Sequence, residues 1–183
     1  MALGQLLKRL SEEGNIEIVL STTTSTGYRV ARDRYSDLAL AVGPFPLDFL
    51  PFSSRTWNRI KPDLAILVDS ELWPEHMHQA RKREVPVIIV NGRISDRSLN
   101  RLGKAGCFRK LLVPPELHVM ACSAQEADKW RQVGVSSERL ETSGNLKFDC
   151  QPEEILGDEA KEDLLTEFGF ISSGQEPRPL VLF

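Results

Sequence analysis

Leu64-Ala65-Ile66-Leu67-Val68, followed by Asp69-Ser70-Glu71-Leu72-Trp73-Pro74, and then Val87-Ile88-Ile89-Val90, followed by Asn91-Gly92-Arg93-Ile94-Ser95-Asp96-Arg97-Ser98, decide the fold. Both runs are apolar at consecutive positions, which is how a strand reads when helices cover both faces of its sheet. Between them, Pro74 to Arg83 is an amphipathic stretch whose proline suits a first helical turn, where the missing N–H costs nothing. Strand, helix, strand in that order is a βα unit of a parallel sheet.

The same alternation extends in both directions. Further strands are expected at Ile16 to Leu20, Leu38 to Val42, Val119 to Cys122 and, more weakly, Arg139 to Thr142. Helices are expected at Ala2 to Glu13, Gly27 to Tyr35, Ser53 to Ile60 and Ala124 to Val133, the last with Ser123 as N-cap and Glu126 three residues on. A doubly wound domain ordinarily opens on a central strand, whereas this chain opens on a helix, so a first strand is expected before it.

A chain of 183 residues, 41% hydrophobic, 27% charged and with a net charge of −3, has the composition of one globular domain with a sizeable core. Disorder, collagen and coiled coil are excluded. Cys107, Cys122 and Cys150 are few and widely spaced, which suits a reducing compartment. No apolar run approaches the ~20 residues that span a bilayer, and no signal peptide opens the chain. Charge divides the chain: residues 1–150 carry 21 basic and 18 acidic side chains, whereas residues 151–183 carry 2 and 8. Domain boundaries follow, with a Rossmann-like body at 1–150 and an acidic tail at 151–183. In the tail, Gln151 to Gly157 reads as a linker, Asp158 to Phe168 as a short helix, and Leu180 to Phe183 as the first strand of a further domain.

Open α/β sheets bind ligands beyond the carboxyl ends of their strands. Four such segments stand out. Ser21-Thr22-Thr23-Thr24-Ser25-Thr26-Gly27 could hold a phosphate or sugar oxygen, or merely cap a helix; it is neither a P-loop nor a dinucleotide-binding glycine loop. In Asp69 to Pro74, Asp69 or Ser70 reads as a cap for the helix at Pro74, the plainer reading for Asp69, while Glu71 is open between a structural role and a carboxylate facing a cleft. Arg93, Ser95, Arg97 and Ser98 suit a phosphate, with both arginines on one face if a helical turn contains them; a solvated helix face is the plainer reading. The turn at Gly144-Asn145 brings Lys147 to the same crevice. His76 and His78, two apart on a helix, disfavour a shared metal, and nothing marks a nucleic-acid site.

Taken together, T-T-T-S-T-G (Thr22 to Gly27), F-P-L-D (Phe45 to Asp48), K-P-D-L (Lys61 to Leu64), E-L-W-P (Glu71 to Pro74), N-G-R-I-S-D-R-S (Asn91 to Ser98) and G-N-L-K-F-D (Gly144 to Asp149) resemble the N-terminal domain of the bacterial 3-deoxy-D-manno-octulosonic acid (Kdo) transferases. The family usually has Ala where this chain has Gly92. The resemblance covers residues 1 to 150 and implies the N-terminal half of a GT-B glycosyltransferase, two Rossmann-like domains facing a cleft. It further implies an inverting transfer of Kdo from CMP-Kdo to a lipid A precursor at the cytoplasmic face of the inner membrane, with no metal or cofactor, and with peripheral membrane contact.

By the same resemblance, the acceptor lies near Thr23, Thr24, Thr26, Gly27, Arg93, Ser95, Arg97 and Ser98, with Glu71 as a supporting carboxylate. Asn145 and Lys147 belong to the donor or interdomain cleft. The general base is expected in a Ser-Val-Gly-Glu type motif upstream of this chain, and the CMP-Kdo contacts in a C-terminal domain beyond it. The rival readings are a non-catalytic remnant or binding module of the same fold and, disfavoured by the missing glycine loop, an oxidoreductase-type dinucleotide domain.

Overall fold

A computed structural model of the chain describes residues 3–106 and 112–146. The elements alternate: α1 (Gly4–Glu12), β1 (Val19–Thr22), α2 (Ser25–Tyr35), a 3-10 turn (Ser36–Leu38), β2 (Ala41–Pro44), α3 (Leu50–Ile60), β3 (Ala65–Val68), α4 (Pro74–Lys82), β4 (Val87–Gly92), α5 (Asp96–Lys104), β5 (His118–Ala121), α6 (Ala124–Gln132), a second 3-10 turn (Ser137–Arg139) and β6 (Leu140–Thr142). The fold is α/β, Rossmann-like, with parallel strands and flanking helices. The chain divides into units at Cys150. The linker, helix and strand expected after it fall outside the described residues.

All pairings are parallel, and they form two sheets. One has the order β3-β4-β5-β6, and the other consists of β1 and β2 alone. Among the described residues, the edge of β1 away from β2 and the edge of β3 away from β4 carry no strand. Their apolar side chains stay in solvent: Val19 is 40% exposed and Ile66 37%. The main core lies instead around β3 to β6, where Ile89, Val119, Ala121, Ala127, Trp130 and Leu140 pack together with Trp57 of α3 and Met77 of α4.

β1 and β2 begin about three residues later than the apolar runs suggest, because pairing from Val19↔Ala41 to Thr22↔Pro44, rather than hydropathy, sets their limits. Helix α5 is amphipathic, but its buried face is narrow; only Leu102 is buried. Its start is set by Ser95, whose Oγ accepts the Ser98 amide at 3.2 Å.

Position β4 is central in its sheet and buried along almost its whole length. It carries one extra residue against β5: Ile89 pairs with Val119 but Gly92 with Ala121. Asn91 lies in this bulge with φ +54°, a left-handed conformation that Asn tolerates better than most residues.

Candidate functional site

The bulge places a buried amide at the carboxyl end of the sheet. Asn91 Nδ2 donates to Asp69 Oδ1 at 2.6 Å, and Asn91 Oδ1 accepts the backbone N–H of Leu146 at 3.3 Å. Asp69 is itself left-handed, with φ +59°. One side chain thus joins the segments that follow β3, β4 and β6. Two non-glycine residues at positive φ on neighbouring strand ends form the kind of local strain that gathers at binding sites.

A cleft of about 500 Å3 opens beside them, lined by Asp69, Ser70, Arg93, Ile94, Ser95, Asp96, Glu126 and Lys129. Two of its side chains come from α6. Glu126 Oε2 accepts the Ile94 amide at 2.6 Å, and Lys129 Nζ donates to Ile94 O at 3.0 Å, holding both backbone groups of one residue. Lys129 also pairs with Glu126 at 3.0 Å and Asp96 at 3.1 Å. Hydrogen bonds to Glu126 and then Asp96 raise the Lys129 pKa above its usual 10.5, so the ammonium stays charged at neutral pH.

Arg93 differs. Among the described residues it enters no ion pair, and its Nε is buried without a hydrogen-bond partner. A buried guanidinium donor left unspent on a cleft wall suits an anionic oxygen, which an arginine fork can bind at two points.

The other expected site residues divide. Ser95 lines the cleft; Arg97 and Ser98 do not, and Arg97 is exposed on the first turn of α5. The idea that Arg93 and Arg97 share a helical face is corrected: the helix begins at Asp96 with Ser95 as its cap, so Arg93 precedes it. Thr24 caps α2, its Oγ1 accepting the Gly27 amide at 3.0 Å, while Thr23 and Thr26 are exposed on the same turn, which lies on the two-stranded sheet. A Cβ at Gly27 would lie 2.8 Å from Thr24 Oγ1, so the close cap explains the glycine.

Glu71 is exposed on the rim next to Ser70, where its Oε2 accepts the Trp73 indole N–H at 2.7 Å. Trp73 in turn packs on Phe45, ring centres 5.3 Å apart. Asn145 is half-buried in the turn held by Asn91. Lys147 lies outside the described residues.

The cap of α4 is also corrected. Neither Asp69 nor Ser70 fills that role; Asp48 Oδ1, from the loop after β2, accepts the amides of Glu75 at 2.9 Å and His76 at 3.0 Å. His76 is buried between the Trp57 indole N–H and Pro46 O, at 3.1 and 3.2 Å. These contacts fix the loop after β2 against the loop after β3.

Comparison with known proteins places this geometry. A family model described as 3-deoxy-D-manno-octulosonic-acid transferase (kdotransferase) matches residues 1–150. The chain belongs to that family. A bifunctional glycosyltransferase/methyltransferase of Fusobacterium nucleatum is 33% identical over 86% of this chain and 25% of its own length. The 3-deoxy-D-manno-octulosonic acid transferase of Haemophilus influenzae is 30% identical over 82% of this chain and 35% of its own, and that of Chlamydia trachomatis serovar D 26% identical over 79% and 34%. This chain therefore spans only about a quarter to a third of the curated relatives it matches. In fold, it resembles half of the UDP-GlcNAc 2-epimerase of Neisseria meningitidis, with a TM-score of 0.56 over 94% of this chain and 52% of that one, at 12% identity.

In this kdotransferase N-terminal domain the sequence motifs do not show how their residues are held. Asn91 and Asp69 sit inside or beside two of those motifs, yet their bond spans 22 residues. Glu126 and Lys129 show only as a capping residue and a helix cation, because their partner at Ile94 is more than 30 residues away. The D of F-P-L-D is legible as part of its motif, but its role as the cap of α4 emerges only from the packing.

Proposed function

We propose that this chain is the acceptor-binding part of an enzyme that transfers Kdo from CMP-Kdo, with inversion, to a phosphorylated, acylated disaccharide of the lipid A type. The unspent Arg93 donor on the cleft wall carries the reading, and the family match sets its chemistry. An acceptor phosphate meets Arg93, with the Ser70 and Ser95 hydroxyls on the same wall. The lining also holds three carboxylates: Glu126 and Asp96 share Lys129, and Asp69 accepts from the Asn91 amide. Phosphate binding is thereby focused on the Arg93 side.

Glu71, on the rim, is the supporting carboxylate beside the sugar hydroxyl that attacks the donor. The base that takes its proton belongs to the family's Ser-Val-Gly-Glu type motif, and the CMP-Kdo contacts, including those near Asn145 and Lys147, to the facing domain. In this reading the reaction uses neither metal nor cofactor and takes place at the cytoplasmic face of the inner membrane. The rival, a binding module that transfers nothing, makes a different prediction. With residues 1–150 exchanged for the matching segment of the Haemophilus influenzae relative, the chimera should transfer Kdo, and Glu71→Gln should lower its turnover at least tenfold without altering its melting. A folded chimera with no transfer, or one whose turnover stays within about twofold on that change, contradicts the proposal.

A further inference from the structure

Asp69 stands on the cleft wall with no part in capping α4, whose cap is Asp48. Its position is nonetheless fixed from several sides. The Asp69 N–H donates to Val90 O at 3.1 Å, and Asp69 O accepts the Arg93 amide at 3.4 Å, which ties its left-handed backbone to β4 and to the residue that follows it. The side chain is held as well, Oδ1 accepting Asn91 Nδ2 at 2.6 Å. Asn91 is buried, and its own oxygen accepts the Leu146 N–H, a group that can only donate. The amide therefore presents its nitrogen to Asp69 and cannot turn over without losing both bonds.

The carboxylate held in this way is exposed and, among the described residues, is in no ion pair. A carboxylate has roughly four acceptor positions, and the bond to Asn91 takes one of them. Arg93 lines the same cleft and is in no ion pair either, so a carboxylate and a guanidinium face one space without pairing with each other. A ligand that suits both carries anionic oxygens for the guanidinium and neutral hydrogen-bond donors for the carboxylate, because a cation beside Arg93 is repelled. A phosphorylated sugar has that combination, since hydroxyls on adjacent ring carbons can donate to the two oxygens of one carboxylate. We propose that Asp69 binds hydroxyl groups of the acceptor sugar other than the attacking one, and that Asn91 is a positioning residue that holds the Asp69 carboxylate for them. With phosphate at Arg93 and the ring at Asp69, the two side chains set the orientation of the sugar in the cleft. The identity of the sugar rests on the proposed function; the held carboxylate does not.

Calorimetric titration of the purified chain with the phosphorylated, acylated disaccharide in detergent, and with its dephosphorylated form, tests this. Asp69→Asn keeps an oxygen to accept from Asn91 and a side chain tolerant of the left-handed backbone, but puts a donor where the hydroxyls need an acceptor. It should weaken both sugars roughly tenfold or more, the effect of losing charge-assisted bonds, whereas Arg93→Ala should weaken only the phosphorylated one. A carboxylate that merely repels phosphate makes the opposite prediction, tighter binding of the phosphorylated sugar by Asp69→Asn. Glu84→Gln, which removes an exposed carboxylate before the amino end of β4, is the control and should leave both affinities within twofold. Asp69→Gly and Asn91→Gly keep the left-handed backbones at no steric cost. Each alone should weaken binding, and the pair should bind no worse than Asp69→Gly, because Asn91 acts through Asp69; additive losses would overturn the role given to Asn91. Thermal melting identifies any variant that does not fold, and Asp69→Asn, which keeps the Asn91 bond, then decides. Unchanged or tighter binding in Asp69→Asn, an equal loss in Glu84→Gln, or no binding of either sugar overturns the proposal. If Kdo transfer fails in the chimera while this pattern holds, the proposed function falls and the sugar site stands; transfer without the pattern does the reverse.

Discussion

At the scale of single residues, Arg93 and Arg97 separate although four positions apart. Arg93 lines the cleft, its Nε buried without a partner among the described residues, and Arg97 is solvated. A charge-assisted hydrogen bond is worth about 1.5–3 kcal/mol, so Arg93→Ala should weaken binding of the phosphorylated disaccharide roughly tenfold or more in calorimetric titration. Arg97→Ala should change it less than twofold, and equal effects would return both to the solvated face that charge alone suggests. Gly92 is the second informative position. A Cβ there would lie 2.9 Å from Val119 Cγ1 and 3.1 Å from Trp130 Nε1, both in the core. Gly92→Ala gains backbone entropy but overpacks a stiff β-branched neighbour, a cost of about 1–3 kcal/mol. Urea unfolding should show net destabilisation; a stabilised variant would mean that Val119 and Trp130 move freely. Lys129 makes a pH prediction. Its folded pKa lies above 10.5, so its contribution to stability is complete below that value and is lost as pH rises through the folded value. Thermal melting followed above pH 10 should show this alkaline loss in the unchanged chain, and Lys129→Met should erase it.

At the scale of elements, the caps connect distant parts of the chain. Asp48 closes the N-terminus of α4 from the β2 loop, and losing such a cap costs about 0.5–2 kcal/mol. Asp48→Ala should lower the melting temperature, and Asp48→Asn should recover most of the loss; no change in either would show that solvent caps α4 equally well. The βα alternation was legible because strands covered on both faces, such as Val87 to Val90, must be apolar throughout. Ser123 was legible as a cap, and its Oγ does accept the Glu126 amide. The return half of that expected capping box is absent, since the Glu126 carboxylate turns to the Ile94 amide instead. The Glu126, Lys129 and Asn91 contacts were not legible. Their energy comes from partners that only the assembled sheet brings near, and local periodicity carries no trace of them.

At the scale of the molecule, the division into two sheets dominates. Among the described residues, β1 and β3 each present an unpaired edge, and Ile16, Val19, Leu64 and Ile66 are exposed on or beside those strands. Such edges invite pairing with other chains. The purified chain should associate in a concentration-dependent way by sedimentation velocity and unfold over a broad range, whereas a monodisperse monomer with a sharp, cooperative melt would show that the edges are otherwise protected. The central claim, an acceptor site built around Arg93, is tested most directly by titrating this chain with the phosphorylated, acylated disaccharide in detergent, with its dephosphorylated form, and with CMP-Kdo. Saturable binding of the first, weakened at least tenfold by removing the phosphates, with no binding of CMP-Kdo, is the predicted result. Equal affinity for the phosphorylated and dephosphorylated sugars, or binding of CMP-Kdo alone, would contradict it.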